Sequence, residues 1–110
     1  MDWNTYTALA EHTANRSSED TDERRLINFS MGLAGEAGEV CDAVKKIVFH
    51  GHSLDQDKLR NELGDVMWYL AMFAKTCGLT LEEIAEENIA KLRARYPEGF
   101  EPDRSINRTV

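Results

Sequence analysis

The feature that most limits the fold of this chain is a pair of acid pairs set in apolar stripes. Glu36/Glu39 and Glu62/Asp65 are each spaced i, i+3 within a stretch of otherwise mixed residues. On a helix, residues three apart lie on one face, one turn above the other. Leu33, Val40, Val44 and Ile47 form an apolar stripe around the first pair. Leu59, Leu63, Val66, Leu70 and Phe73 form another around the second. The turn signal His50-Gly51-His52-Ser53 lies between them. Glu39 is roughly 18 Å of helix rise before Gly51, and Glu62 roughly 14 Å after Ser53. Two helices folded back at this turn therefore bring the pairs level.

Acids on a core face do not stay ionised alone, because burying an unpaired charge is costly. They are protonated, paired with bases, or bound to metal. No Lys or Arg shares their stripes. An ExxE spacing alone is common on solvated helix faces. Two pairs, symmetric about a turn and both within apolar stripes, favour a site. Four carboxylates without His or Cys suit Mg²⁺, with Mn²⁺ as the second choice. A di-iron bundle would need ExxH pairs, which this chain lacks.

The remaining chain reads as helices. It holds seven Gly and two Pro in 110 residues, enough chain for one domain, 1–110, with a modest core. Asp2 caps a first helix to about Asn15, with Trp3, Tyr6, Leu9 and Ala10 as its stripe. These aromatics read as core, with stacking on a flat ligand left open. Residues 16–21 form a polar loop, and Asp20 or Thr21 caps the second helix. Lys45 and Lys46 suit its C-terminal end. Ser53 or Asp55 caps the third helix, which Gly78 ends. Thr80 and Glu83 make a capping box for the fourth, which Pro97 ends. A tail, 97–110, follows.

Gly32, Gly35 and Gly38 recur every third residue beside the first acid pair. Each costs roughly 1 kcal/mol relative to Ala in a helix. A kink, close packing, or room for a ligand explains them. Asn88, Lys91 and Arg95 share one stripe of the fourth helix, either a solvated edge or a phosphate grip. His50 and His52 read as turn residues. Cys41 and Cys77 read as small core residues in a reducing cytoplasm. Val66 to Ala74 is apolar nearly all round, which suggests a partner subunit. It is too short to span a bilayer, and no signal peptide is evident. The net charge of -7 argues against a nucleic-acid surface, but not against a phosphate ligand arriving with cations.

The segments GLAGEAGEVCDAVKK, KLRNELGDVMWYLA and NIAKLRARYPEGF resemble the MazG-type all-α nucleoside triphosphate pyrophosphohydrolases. The resemblance implies a four-helix bundle-like subunit of a dimer or tetramer. It implies hydrolysis of a nucleoside triphosphate to the monophosphate and pyrophosphate. Glu36, Glu39, Glu62 and Asp65 would bind Mg²⁺, and Glu36 or Glu39 would help activate water. Lys58, Lys91 and Arg95 would contact phosphates, with Asn88 beside them as a substrate-binding residue. The base-reading part of the family pattern is not recognisable in residues 3–28. Two alternatives are a phosphoribosyl-ATP pyrophosphohydrolase-like activity and a non-catalytic helical dimerisation module.

Overall fold

The computed structural model describes residues 1–15 and 17–110. Arg16, the first residue of the expected polar loop, lies outside the described residues. The described residues form five helices in order: α1 (Trp3–Glu11), α2 (Asp22–His50), α3 (Gln56–Thr76), α4 (Leu81–Arg95) and α5 (Pro102–Ile106). No strand occurs among the described residues. The all-α architecture agrees with the composition and the helical periodicities.

The helix boundaries follow local chemistry. The Asp2 side chain accepts from Thr5 N–H at 2.7 Å, and Thr21 from Arg24 N–H at 3.2 Å. Asp55 accepts from Lys58 N–H at 3.1 Å. Thr80 and Glu83 form the reciprocal capping box. Each cap satisfies a first-turn N–H that has no partner inside its helix. Gly51 takes the left-handed conformation (φ 73°) that ends α2, where L side chains are disfavoured. Gly78 (φ 75°) does the same after α3. Helix α2 runs four residues past Lys46, because the reversal begins at Gly51.

Helices α2 and α3 fold back as the principal hairpin, α1 packs on α3, and α4 packs chiefly on α1. Ala10, Phe29, Ala71, Met72, Ala74 and Leu81 form the buried centre, flanked by Tyr6, Trp68 and Tyr69. The Phe29 and Trp68 rings meet edge to face at 5.8 Å, and Trp68 and Tyr69 at 5.0 Å. The Trp68 indole N–H donates to Thr13 Oγ1 at 2.8 Å and to the Ala10 carbonyl at 3.3 Å. Thr13 Oγ1 also donates to that carbonyl at 2.6 Å. These bonds take up the last turn of α1, so it stops at Glu11 and not near Asn15.

Several core expectations need correction. Ala71, Met72 and Ala74 are buried within one chain, so Val66 to Ala74 is largely covered by α1 and α2; Leu70 remains exposed. Val44 and Leu63, expected on core stripes, are exposed, as are Val48, Phe49 and Leu54 near the turn. On α1, Leu9 is exposed and Trp3 is 44% exposed. On α4 only the first turn packs fully: Leu81 is buried, whereas Ala85 and Leu92 are exposed. Both cysteines are exposed: Cys77 caps the end of α3, and Cys41 lies on the outer face of α2. Five helices extend over 51 × 40 × 28 Å with a radius of gyration of 17.4 Å. A compact domain of this length has a radius near 13 Å. The tail, read only as loose or folded over a neighbour, contains α5 with Pro102 at its start, where a missing N–H costs nothing.

Candidate metal and phosphate site

The α2–α3 hairpin brings the acids of two helices together. Carboxylate oxygens of Glu36, Glu62 and Asp65 lie within 4.8 Å of one another. Glu36 and Glu62 are half-buried and Asp65 is exposed. Glu39 is exposed and stands outside this group of three, one turn along α2. Its charge still reaches Glu36 and Lys46. Among the described residues, none of the four acids forms an ion pair with Lys, Arg or His.

The electrostatics follow from that placement. Glu36 is pushed above the usual carboxylate range by loss of hydration, then by the charges of Asp65, Glu62 and Glu39. Every contributor opposes ionisation, and no cation offsets them. Such a cluster favours a bound positive charge. The donor set fits a hard divalent cation: all its atoms are carboxylate oxygens. Two ligands of Mg²⁺ bound at about 2.1 Å stand at most about 4.2 Å apart. The observed spread is thus close to what one shared ion requires.

The cations expected around the site divide into two groups. Lys58 is exposed, lies one turn before Glu62 and forms no ion pair among the described residues. With Lys46, Ile47, His52 and Ser53 it lines a groove of about 430 Å³ at the turn end of the hairpin. The sequence marks Lys46 only as a helix-end residue. It lies two turns beyond Glu39 on α2, and that i, i+7 spacing was the signal for a shared face. Its ammonium is 2.9 Å from Asp42, which raises its pKa, with a further contribution from Glu39. His50 and His52 face each other at 6.3 Å and do not join the carboxylates.

Asn88, Lys91 and Arg95 continue the α4 face that begins with Leu81 and Ile84, beyond the point where that face is covered. Asn88 and Lys91 are exposed. Arg95 donates from Nε to the Val110 carbonyl at 2.9 Å. Among the described residues neither Lys91 nor Arg95 forms an ion pair with the carboxylates, and α4 packs chiefly on α1.

The glycines separate into two kinds. A Cβ on Gly32 would collide with the Tyr69 ring, whereas Gly35 and Gly38 face open space. Close packing therefore accounts for Gly32, and free volume remains beside Glu36 and Glu39. The sequence places Tyr6 on the core stripe, with stacking on a flat ligand left open; in the structure its phenol is raised by burial and then by the Asp65 charge. Only the crossing of α1 over α3 reveals that proximity.

Comparison with known proteins agrees with this reading. Residues 26–100 match the MazG nucleotide pyrophosphohydrolase domain, a span that contains all four acids, Lys58, Asn88, Lys91 and Arg95. The chain is also 39% identical over 83 residues to the Gene 37 protein of Mycobacterium phage L5. That alignment covers 72% of this chain and 73% of the phage protein. No solved structure matches the chain. A helical hairpin carrying two acid pairs, within a match that spans most of the sequence, identifies the chain as a member of the MazG nucleotide pyrophosphohydrolase family.

Proposed function

We propose that this protein hydrolyses a nucleoside or deoxynucleoside triphosphate to the monophosphate and pyrophosphate, with Mg²⁺ (or Mn²⁺) held by Glu36, Glu39, Glu62 and Asp65. The observation that carries this reading is the convergence of three carboxylates from two helices without an ion-pairing base. A non-catalytic module would pair those acids with Lys or Arg. A bound divalent cation would neutralise and orient the phosphates.

The chain's own groups supply the remaining chemistry. Glu36 or Glu39 accepts a proton from the attacking water. The water oxygen bonds to phosphorus at the α–β anhydride, and the bond to the bridging oxygen breaks. Pyrophosphate leaves with the electron pair. Lys58 at the groove, with Asn88, Lys91 and Arg95 on α4, offsets the phosphate charge as it develops. Because Lys91 and Arg95 form no ion pair with the acids of their own chain and α4 packs chiefly on α1, the complete site uses α4 of a neighbouring copy. The extended shape and the exposed Val44, Val48, Phe49 and Leu63 support a homo-oligomer, a dimer or a tetramer. The two cysteines are unpaired, which suits a reducing cytoplasm. No described helix is long and apolar enough to cross a membrane.

The test is a panel of canonical, deoxy and oxidised nucleoside triphosphates, with phosphoribosyl-ATP included, assayed for pyrophosphate release with Mg²⁺. Release from at least one triphosphate, abolished by chelation, is the expected result. Release from phosphoribosyl-ATP alone would transfer the activity to that substrate. No release from any member would overturn the reading.

A further inference from the structure

The groove of about 430 Å³ at the turn end of the α2–α3 hairpin continues the face that carries the acids. On α2 its wall includes Ala43, Lys46 and Ile47. Ala43 and Ile47 stand at i+7 and i+11 from Glu36, and Lys46 at i+7 from Glu39, so all three share the acids' side of the helix. On α3 Lys58 and Leu59 line the groove, four and three residues before Glu62. One turn, about 6 Å of rise, separates Glu39 from Ala43 and Lys58 from Glu62. We propose, on the pyrophosphohydrolase reading above, that this groove holds the phosphates beyond the scissile bond, and that Lys46 and His52 bind the terminal one and so favour a triphosphate over a diphosphate.

The polar groups of the groove are donors. Lys46 and Lys58 bring ammonium groups, Ser53 a hydroxyl and His52 an imidazole. Lys58 forms no ion pair among the described residues. Lys46 meets Asp42 at 2.9 Å, but an ammonium carries three donors. The carboxylate in the lining, Asp55, accepts from the Lys58 backbone N–H at 3.1 Å as the cap of α3. The backbone N–H of His52 donates to the Lys46 carbonyl at 3.1 Å, which ties His52 to the end of α2. Phosphate oxygens are the matching acceptors, and Lys binds them as a point charge. No Phe, Tyr or Trp lines the groove among the described residues, so a base finds no broad aromatic face on which to stack.

The order along the hairpin gives the direction. The acids fix the scissile α–β anhydride at Glu36, Glu62 and Asp65, and the groove extends from there toward Gly51. Ala43 and Lys58 stand at its near end. Lys46, about 10 Å of rise beyond Glu39, and His52 stand at its far end. As the anhydride bond breaks, negative charge gathers on the departing phosphates, and fixed cations beside them stabilise it. A diphosphate has one phosphate beyond the scissile bond, which meets Lys58. A triphosphate has a second, which meets Lys46 and His52.

The experiment is calorimetric titration of inorganic pyrophosphate, and separately orthophosphate, into the full chain in Mg²⁺ buffer. Wild type should bind pyrophosphate the more tightly. Lys46→Ala and His52→Ala together should weaken pyrophosphate by about ten- to a hundred-fold, the size of a lost hydrogen bond or two to a charged group, and so collapse its advantage over orthophosphate. Asp42→Asn breaks the same ion pair but keeps the Lys46 charge, and should retain that advantage. Equal affinities in wild type, an advantage that survives the double change, or no binding of pyrophosphate would overturn the groove. Turnover of a deoxynucleoside triphosphate and of its diphosphate, measured in parallel, keeps the two ideas apart. The ratio of their kcat/KM values should fall by the same factor in the double variant. Turnover with an unchanged ratio removes only the groove. Pyrophosphate binding that is lost in the double variant of a protein without turnover removes only the pyrophosphohydrolase reading.

Discussion

Glu36 and Asp42 lie six residues apart on the same helix and have opposite surroundings. Asp42 is 3.2 Å from Lys45 and 2.9 Å from Lys46, and hydrogen bonds from Lys46, then Lys45, hold its carboxyl below the usual range. Glu36 has burial and three acids around it and is pushed up. The Asp42 environment is local, since its partners stand at i+3 and i+4. The Glu36 environment is tertiary, since two of its neighbours arrive from α3. A stabilising device and a site thus use the same residue chemistry, and they differ in whether cations or more anions are placed nearby.

The largest test of this contrast is turnover. Asp65→Asn and Glu36→Gln should each lower pyrophosphate release by about a thousand-fold or more, because cation stabilisation of the reacting phosphates is lost. Asp42→Asn should change it by no more than about two-fold. Equal losses from all three would erase the distinction.

Next in size is the α4 stripe. Lys91→Ala and Arg95→Ala should each lower kcat/KM by about thirty- to a thousand-fold, as expected when a fixed donor to developing charge is removed. Arg95→Lys should not restore the loss, because Lys lacks a bidentate fork. Wild-type efficiency in all three would leave the stripe a solvated edge.

The glycines give a stability counterpart. Gly32→Ala should destabilise by about 1–3 kcal/mol, since its methyl meets the Tyr69 ring. Gly35→Ala meets no atom within 4 Å and should stabilise by about 0.5–1 kcal/mol. Thermal melting of the two variants reads both signs. The reading of that open space as room for the substrate adds that Gly35→Ala lowers activity despite its stability.

The smallest effect is on pH dependence without metal. Glu36 has a raised folded pKa, so the folded state holds its proton more tightly than the unfolded one. Its contribution becomes unfavourable as pH rises from the ordinary carboxyl value through the folded value. Glu36→Gln should therefore raise melting temperature at neutral pH, and the gain should vanish in acid. Asp42 has a lowered folded pKa, so its contribution is present above the unfolded value and is lost as pH falls through the folded one. Asp42→Asn should lower melting temperature at neutral pH and converge with wild type in acid. Melting curves in chelator from neutral to acidic pH test both directions.

The features readable from sequence were those carried by neighbours along the chain. Thr21, Asp55, Thr80 with Glu83, Gly51 and Gly78 stand where capping chemistry places them. The meeting of Glu36 with Glu62 and Asp65 also followed from spacing, because the turn at Gly51 sets the register of two regular helices. What was missed depends on how helices cross. Periodicity marks Leu63 and Val44 as core, but the partners that would cover them do not come from α1 or α4. Cys41 and Cys77 are apolar enough for a core, yet one is on an outer face and the other at a helix end. The Asp65 charge acts on the Tyr6 phenol only because α1 packs on α3. The position of Lys91 and Arg95 beyond the core is set by the reach of α4, which no local pattern encodes.

The most direct test of the central claim is calorimetric titration of Mg²⁺, and separately Mn²⁺, into chelator-treated protein. Wild type should bind the ion saturably. Asp65→Asn and Glu62→Gln should lose that binding while keeping the wild-type helical spectrum, and Asp42→Asn should retain it. Binding that persists unchanged in Asp65→Asn and Glu62→Gln, or is absent from wild type with and without nucleotide, would contradict the assignment of this carboxylate cluster as the cation site.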